Sequence, residues 1–157
     1  MKIVSAVKHS LVGTVVTIGL LSAHTAAGFE VTTVKKGNFD SDLIISADKL
    51  LIEAEIASDL IAAGGEIEVN SNIKGDVLVV GGRIDVTKTI QGGLMAMAGN
   101  LSMEADVLDA VSIFAGKAKV SGDIKGDALA IGGKLDFTGD VDGDLRAAAG
   151  KLTLHQR

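Results

Sequence analysis

The sequence predicts an all-β fold, a single-stranded parallel β-helix built as a three-sided solenoid of about seven coils of 17 residues. Three observations predict it. A 17-residue period runs from Asp42 without a gap, apolar columns lie two apart within each period, and glycine recurs at fixed corners. The repeats begin at Asp42, Asp59, Asp76, Gly93, Ala110, Asp127 and Asp144, and the seventh stops at Arg157, three residues short of a full period. A short gapless period marks a unit that buries its apolar side only by stacking on its neighbours.

Counting the first residue of each repeat as position one, positions two, four, nine, eleven and fifteen are almost always apolar. Position nine is Leu50, Ile67, Ile84, Leu101, Ala118, Leu135 and Leu152. Position fifteen is Ile56, Ile73, Ile90, Val107, Ile124 and Val141. A spacing of two is the strand period, because successive side chains alternate across a pleated ribbon. Position seven is Gly in six of the seven repeats, with Asp48 the exception, and position seventeen is Gly in four. Glycine at a fixed corner suits backbone angles that a side chain forbids, and an Asp after it can cap the corner through an Asx-type hydrogen bond. Each repeat therefore reads as three short strands joined by three corners.

Rival repeat architectures do not fit this pattern. Helical repeats need 33 residues or more, roughly, because two helices and a turn must fit in each unit. A hexapeptide-repeat acyltransferase coil needs an apolar residue at every sixth position, and its catalytic His has no counterpart. The calcium-binding nonapeptide coil is approached by Gly132-Gly133-Lys134-Leu135-Asp136-Phe137, but its second Gly-x-Asp spacing is missing.

Ahead of the repeats, Lys2 and Lys8, an apolar run from Leu11 to Leu21 and small residues ending in Ala26 and Ala27 have the order of a secretory signal. Residues 1–27 are expected to be removed on export, placing the protein in the periplasm or cell envelope. The alternative is a cytoplasmic chain tethered to the membrane by this segment. The apolar run is shorter than the about 20 residues that span a bilayer, so no transmembrane segment is expected in the mature chain. No Cys follows the run, which excludes a lipoprotein anchor, and there is no disulfide or thiolate site anywhere. Residues 28–41, with Phe29, Val31, Val34 and Phe39, fall outside the register and are expected to form an irregular first coil or a lid. Residues 42–157 are the solenoid domain.

Loss of residues 1–27 removes two Lys and no acid, taking the net charge from −5 to −7. That balance argues against nucleic acid and anionic membranes as partners. Proline is absent, as suits strands whose amides nearly all serve ladders.

The same columns bear on catalysis and metal binding. His9 and His24 leave with the signal and His155 lies at the far end, so no His general base falls within the coil body. Asp42, Asp59 and Asp76 stack at position one, and Asp106, Asp123 and Asp140 at position fourteen. Neighbouring coils are about 4.8 Å apart, close enough for adjacent carboxylates to share a metal. A site needs one special place, however, and these Asp recur through most of the coil, which favours corner capping and solvation. No enzyme activity, cofactor or metal is expected.

The sides differ in polarity. Positions eight, ten and twelve are polar, as in Glu66, Glu68 and Asn70 or Lys134, Asp136 and Thr138, the alternation of a half-solvated strand. The first side is apolar on both surfaces. Its outward columns hold Ile44, Ile61, Leu78, Met95 and Leu129 at position three and Val80, Met97, Phe114 and Ile131 at position five. Strands that are apolar on both faces are usually covered on both. Leu78, Val80, Met95, Met97, Phe114, Leu129 and Ile131 are thus the expected lateral contact face, with residues 28–41, a partner or a second copy as its cover.

Lys125-Gly126-Asp127-Ala128-Leu129-Ala130-Ile131-Gly132-Gly133-Lys134-Leu135-Asp136 and its counterpart from Lys74 to Asp85 resemble the repeat of the bactofilins, bacterial polymer-forming cytoskeletal proteins. The likeness covers Asp42 to Leu154. It implies a right-handed triangular β-helix, end-to-end self-assembly without nucleotide, and no enzymatic activity. Cytoplasmic bactofilins carry a short tail before the coil, whereas this chain opens on an export signal, so it is closer to exported bactofilin-like proteins. Many of those continue into membrane helices; this sequence ends within a repeat, as a shortened version would.

The expected function is a non-enzymatic structural protein that self-assembles end to end into polymers or scaffolds at the bacterial envelope. The expected polymer ends are Leu43, Ile45, Leu50 and Ile52 in the first coil and Leu145, Ala147, Leu152 and Leu154 in the last. Open ends leave unpaired backbone groups that act as a template for another strand. The alternative is an exported, adhesin-like binding module that takes a glycan or an envelope protein through its apolar side.

Overall fold

The computed structural model describes residues 31–34 and 38–155; the expected signal, residues 1–27, lies outside them. The described chain is all-β, with β1 at Val31–Val34, β2 at Asn38–Phe39, β3 at Leu43–Ile52 and β4 at Glu55–Ile56. Six further strands follow: β5 Leu60–Val69, β6 Val77–Val86, β7 Leu94–Met103, β8 Val111–Val120, β9 Ala128–Phe137 and β10 Leu145–Leu154. Eight of them form one parallel sheet in the order β1-β3-β5-β6-β7-β8-β9-β10, and β2 pairs with β4. From β3 onward every pairing steps by 17 residues, as in Leu43↔Leu60, Leu60↔Val77 and Ala128↔Leu145. The chain is a β-solenoid of about seven turns.

The strands are fewer and longer than the sequence suggests. Positions two to eleven form one ten-residue strand that bends across two sides, and the third side is held by a single bridge per coil, Ile56↔Ile73↔Ile90↔Val107↔Ile124↔Val141. The bend falls where position seven drops out of the ladder, since Ala62, Ala63 and Gly64 pair with Val79, Val80 and Gly81 and pairing resumes at Glu66↔Arg83. Glycine is needed at this bend for room rather than for a left-handed backbone. A Cβ on Gly99 would lie 2.8 Å from the carbonyl oxygen of Gly82 one coil below.

Positions two, four, nine, eleven and fifteen point inward and form one continuous core. Leu50, Ile52, Ile67, Ile84, Ile90, Ile113 and Leu135 are wholly buried. Each such side chain contributes about 1.5–3 kcal/mol relative to exposure. Position thirteen adds small inward residues, Ala54, Ser71, Ala105 and Gly122, interrupted by the exposed Lys88, and a Cβ on Gly122 would collide with the carbonyl of Ala105.

Within residues 28–41, the described pieces continue the stack. β1 lies along β3 with Val31↔Lys49 through Val34↔Ile52, and β2 pairs Asn38↔Glu55 and Phe39↔Ile56. They sit edge-on, as a shorter additional coil, and leave Ile44 and Ile61 exposed rather than covering them.

Candidate assembly surfaces

At one end of the stack, β10 pairs with β9 and with no other described strand. Leu152 and Leu154 are 41% and 53% exposed, whereas their equivalents one coil earlier, Leu135 and Phe137, are 0% and 2%. Leu145 and Ala147 are half-buried. At the other end the expectation needs correction. Leu50 and Ile52 are fully buried beneath β1, so they form no end surface. Leu43 and Ile45 are half-buried, on the stretch of β3 that β1 does not reach.

The first side carries the apolar columns outward. Val80, Met95, Met97, Leu129 and Ile131 are exposed, and Leu78 and Phe114 half-buried. The ladder places them in two rows, Leu78↔Met95 and Val80↔Met97↔Phe114↔Ile131. Ser112 interrupts the first row, and no charged residue stands in either row between Ile44 and Ile131. Beside the rows an open depression of about 400 Å³ is lined by Asp76, Leu78, Met95 and Asp109 among others.

The Asp columns tie one coil to the next. Asp59 Oδ1 accepts from the Asp76 amide at 2.8 Å, Asp76 Oδ1 from the Gly93 amide at 2.8 Å and Asp127 Oδ1 from the Asp144 amide at 2.9 Å. A second ladder on the third side joins Asp106 Oδ1 to the Asp123 amide and Asp123 Oδ1 to the Asp140 amide. The bonds therefore run between coils, where the sequence suggested caps within a corner. Position seventeen is Gly beside these carboxylates because a Cβ on Gly75, Gly92 or Gly143 would collide with Oδ1 of Asp59, Asp76 or Asp127. The fourth coil exchanges the two residue types, with Gly93 at position one and Asp109 at position seventeen, whose Oδ1 accepts from the Ala110 amide. Among the described residues no group of three or more His, Cys, Asp or Glu side chains could hold a metal ion.

In the first coil Ser58 replaces that glycine and its hydroxyl donates to Asp42 Oδ1, which also accepts from the Asp59 amide. The two donors, the hydroxyl first, hold the Asp42 carboxyl below its ordinary value. A depressed folded-state value means this contribution is present above the ordinary carboxylate range and is lost as pH falls through the lower folded value. Ser58→Ala is expected to raise the Asp42 titration midpoint toward the ordinary value, as read by carbon-detected NMR, without changing the fold.

The second side mixes charges. Lys49 Nζ lies 3.1 Å from Glu66 and 3.4 Å from Glu68, and the Glu66 hydrogen bond is the main cause of its raised pKa. Arg83 pairs with Asp85 at 2.9 Å. His155 Nε2 lies 3.2 Å from Asp136 Oδ1, without an aligned hydrogen bond to it. Among the described residues, no helix is long and apolar enough to cross a membrane.

Comparison with known proteins finds no matching family model, no matching curated protein and no matching solved structure.

Proposed function

We propose that the chain is a non-enzymatic, bactofilin-like structural protein that assembles end to end into polymers or scaffolds at the bacterial cell envelope. The observation that carries this reading is the constancy of register from β3 to β10, since a stack that advances by an identical step presents a similar cross-section throughout and one molecule can continue another. Leu152 and Leu154, exposed on β10, stand where a further coil would pack, and a strand edge is a template for another strand. The envelope location rests on the signal-like order of residues 1–27.

Electron microscopy and sedimentation of the purified chain, in buffer without nucleotide, test the proposal. Filaments that grow with protein concentration are expected; a species that stays monomeric at all concentrations overturns it. A second reading, an exported module that binds a glycan or envelope protein through its apolar side, is favoured by the exposure of Val80, Met97 and Ile131. It requires capture of that partner by a chain that forms no filaments.

A further inference from the structure

The second side separates its charges along the stack. In the early coils acids and bases are matched, with Lys49 between Glu66 and Glu68 and Arg83 on Asp85. Coil four is uncharged at positions eight and ten, where Asn100 and Ser102 stand. Beyond it the ladder pairs Lys117↔Lys134↔Lys151 directly, and Lys119 stands beside this column. All four are exposed, and none has a carboxylate within salt-bridge distance among the described residues. Asp136 is the acid within the strip; the ladder sets it opposite Lys119, but its ion-pair contact is with His155 rather than with a lysine.

Directly opposed like charges destabilise a ladder, so three lysines stacked on strands about 4.8 Å apart gain from a counter-charge that spans them. In a chain of net charge −5 this strip is the opposite of the average surface. We infer that Lys117, Lys134 and Lys151, with Lys119 at their side, form a binding track for a linear acidic polysaccharide that lies along the coil axis.

Three features select that class of ligand. A linear polyanion lying along the coil axis meets the three ammonium groups in turn, each on a flexible stem that can reach a carboxylate of the repeating chain. On the same side, four residues along from the lysine column, Ser121 and Thr138 form a half-buried hydroxyl column whose hydrogens turn to the carbonyls of Met103 and Val120, leaving oxygen lone pairs for sugar hydroxyl donors. The chain has neither Trp nor Tyr, so the strip lacks those stacking platforms for nucleobases. A second copy meeting this strip with its own second side is a poorer occupant, because the acids of its early coils there, Glu66, Glu68 and Asp85, are already engaged by Lys49 and Arg83. The inference concerns a different side from the apolar face and does not depend on end-to-end assembly.

The test uses the full chain at low ionic strength with polygalacturonate as probe, and galacturonate monomer, neutral dextran and single-stranded DNA as comparisons. Polygalacturonate alone is expected to bind, with affinity falling as salt rises. Lys117→Gln/Lys134→Gln/Lys151→Gln is expected to weaken binding roughly tenfold or more, and Lys74→Gln/Lys125→Gln to leave it unchanged. On the unaltered protein the polymer should also shield Lys117, Lys134 and Lys151 from acetylation while Lys74 reacts as before, a readout that stands even if the triple variant misfolds. Absence of binding, binding unaffected by the triple change, equal binding of the monomer or of DNA, or an altered oligomeric state in place of polymer binding each overturns the inference.

Discussion

Leu152→Lys with Leu154→Glu leaves the protein as isolated, folded coils that no longer sediment as polymers. Both side chains belong to the inward-facing columns of the stack, yet they stand 41% and 53% exposed on β10. Covered by a further coil, each would bury area worth about 1.5–3 kcal/mol. With charge in their place, the same step must desolvate an ammonium and a carboxylate within an apolar core, which costs several kcal/mol per ion. The difference is large enough to move a micromolar association out of reach. Because the substitutions lie at the exposed end of the stack, the thermal transition should change little. The measurements are sedimentation velocity and electron microscopy beside circular dichroism. A folded variant that polymerises like the parent overturns the end-to-end model.

Val80→Lys with Ile131→Lys gives the complementary outcome: single filaments persist and their bundles are lost. Val80 and Ile131 are 42% and 44% exposed, so a lysine at either position can extend into solvent without entering the core. Seven strands presenting about three residues each make a face on the order of 400 Å². That is half of the about 800 Å² per partner in a standard interface, too little to hold two single protomers firmly. Along a polymer the contact repeats, and each further engagement is intramolecular, so lateral association should follow polymerisation rather than precede it. The Leu152/Leu154 variant should therefore lose bundles as well as filaments, whereas the Val80/Ile131 variant loses bundles alone. Unchanged bundles and unchanged pull-down partners in a folded Val80/Ile131 variant would leave this face without an interaction role.

The periodic features of the fold were legible in the sequence where one residue class fills a column. Ile56, Ile73, Ile90, Val107, Ile124 and Val141 announce a buried position, and the alternation of Val77, Leu78, Val79 and Val80 gives the correct inward and outward faces. Position thirteen was not legible, because Ala54, Ser71, Ala105, Gly122 and Gly139 share only small size and Lys88 stands exposed among them. The Asp ladders were half legible: the columns were visible, but their acceptors serve amides in the following coil, a relation that composition alone does not orient. At the first coil a change of step conceals the cover. β1 pairs with β3 at an offset of 18 where the repeats step by 17, so Val31–Val34 fell outside the period and the cover over Leu50 and Ile52 went unseen. The proposed polysaccharide track was hidden too, since Lys117, Lys134 and Lys151 become one strip only when neighbouring coils are laid in register.

The constant step between coils gives this protein something like a reading frame in space. From β3 onward the ladder pairs each residue with one 17 positions away, and most carboxylate-to-amide links and the glycine clearances at position seven keep the same step. Gain or loss of a whole coil preserves every one of those relations and alters only the length of the rod. Gain or loss of one residue within a strand turns all the side chains beyond it, within that coil, to the opposite surface, exchanging Val79 for Val80 as the residue the core receives. Length is thus the dimension in which this architecture is free to vary, and cross-section the one in which it is held.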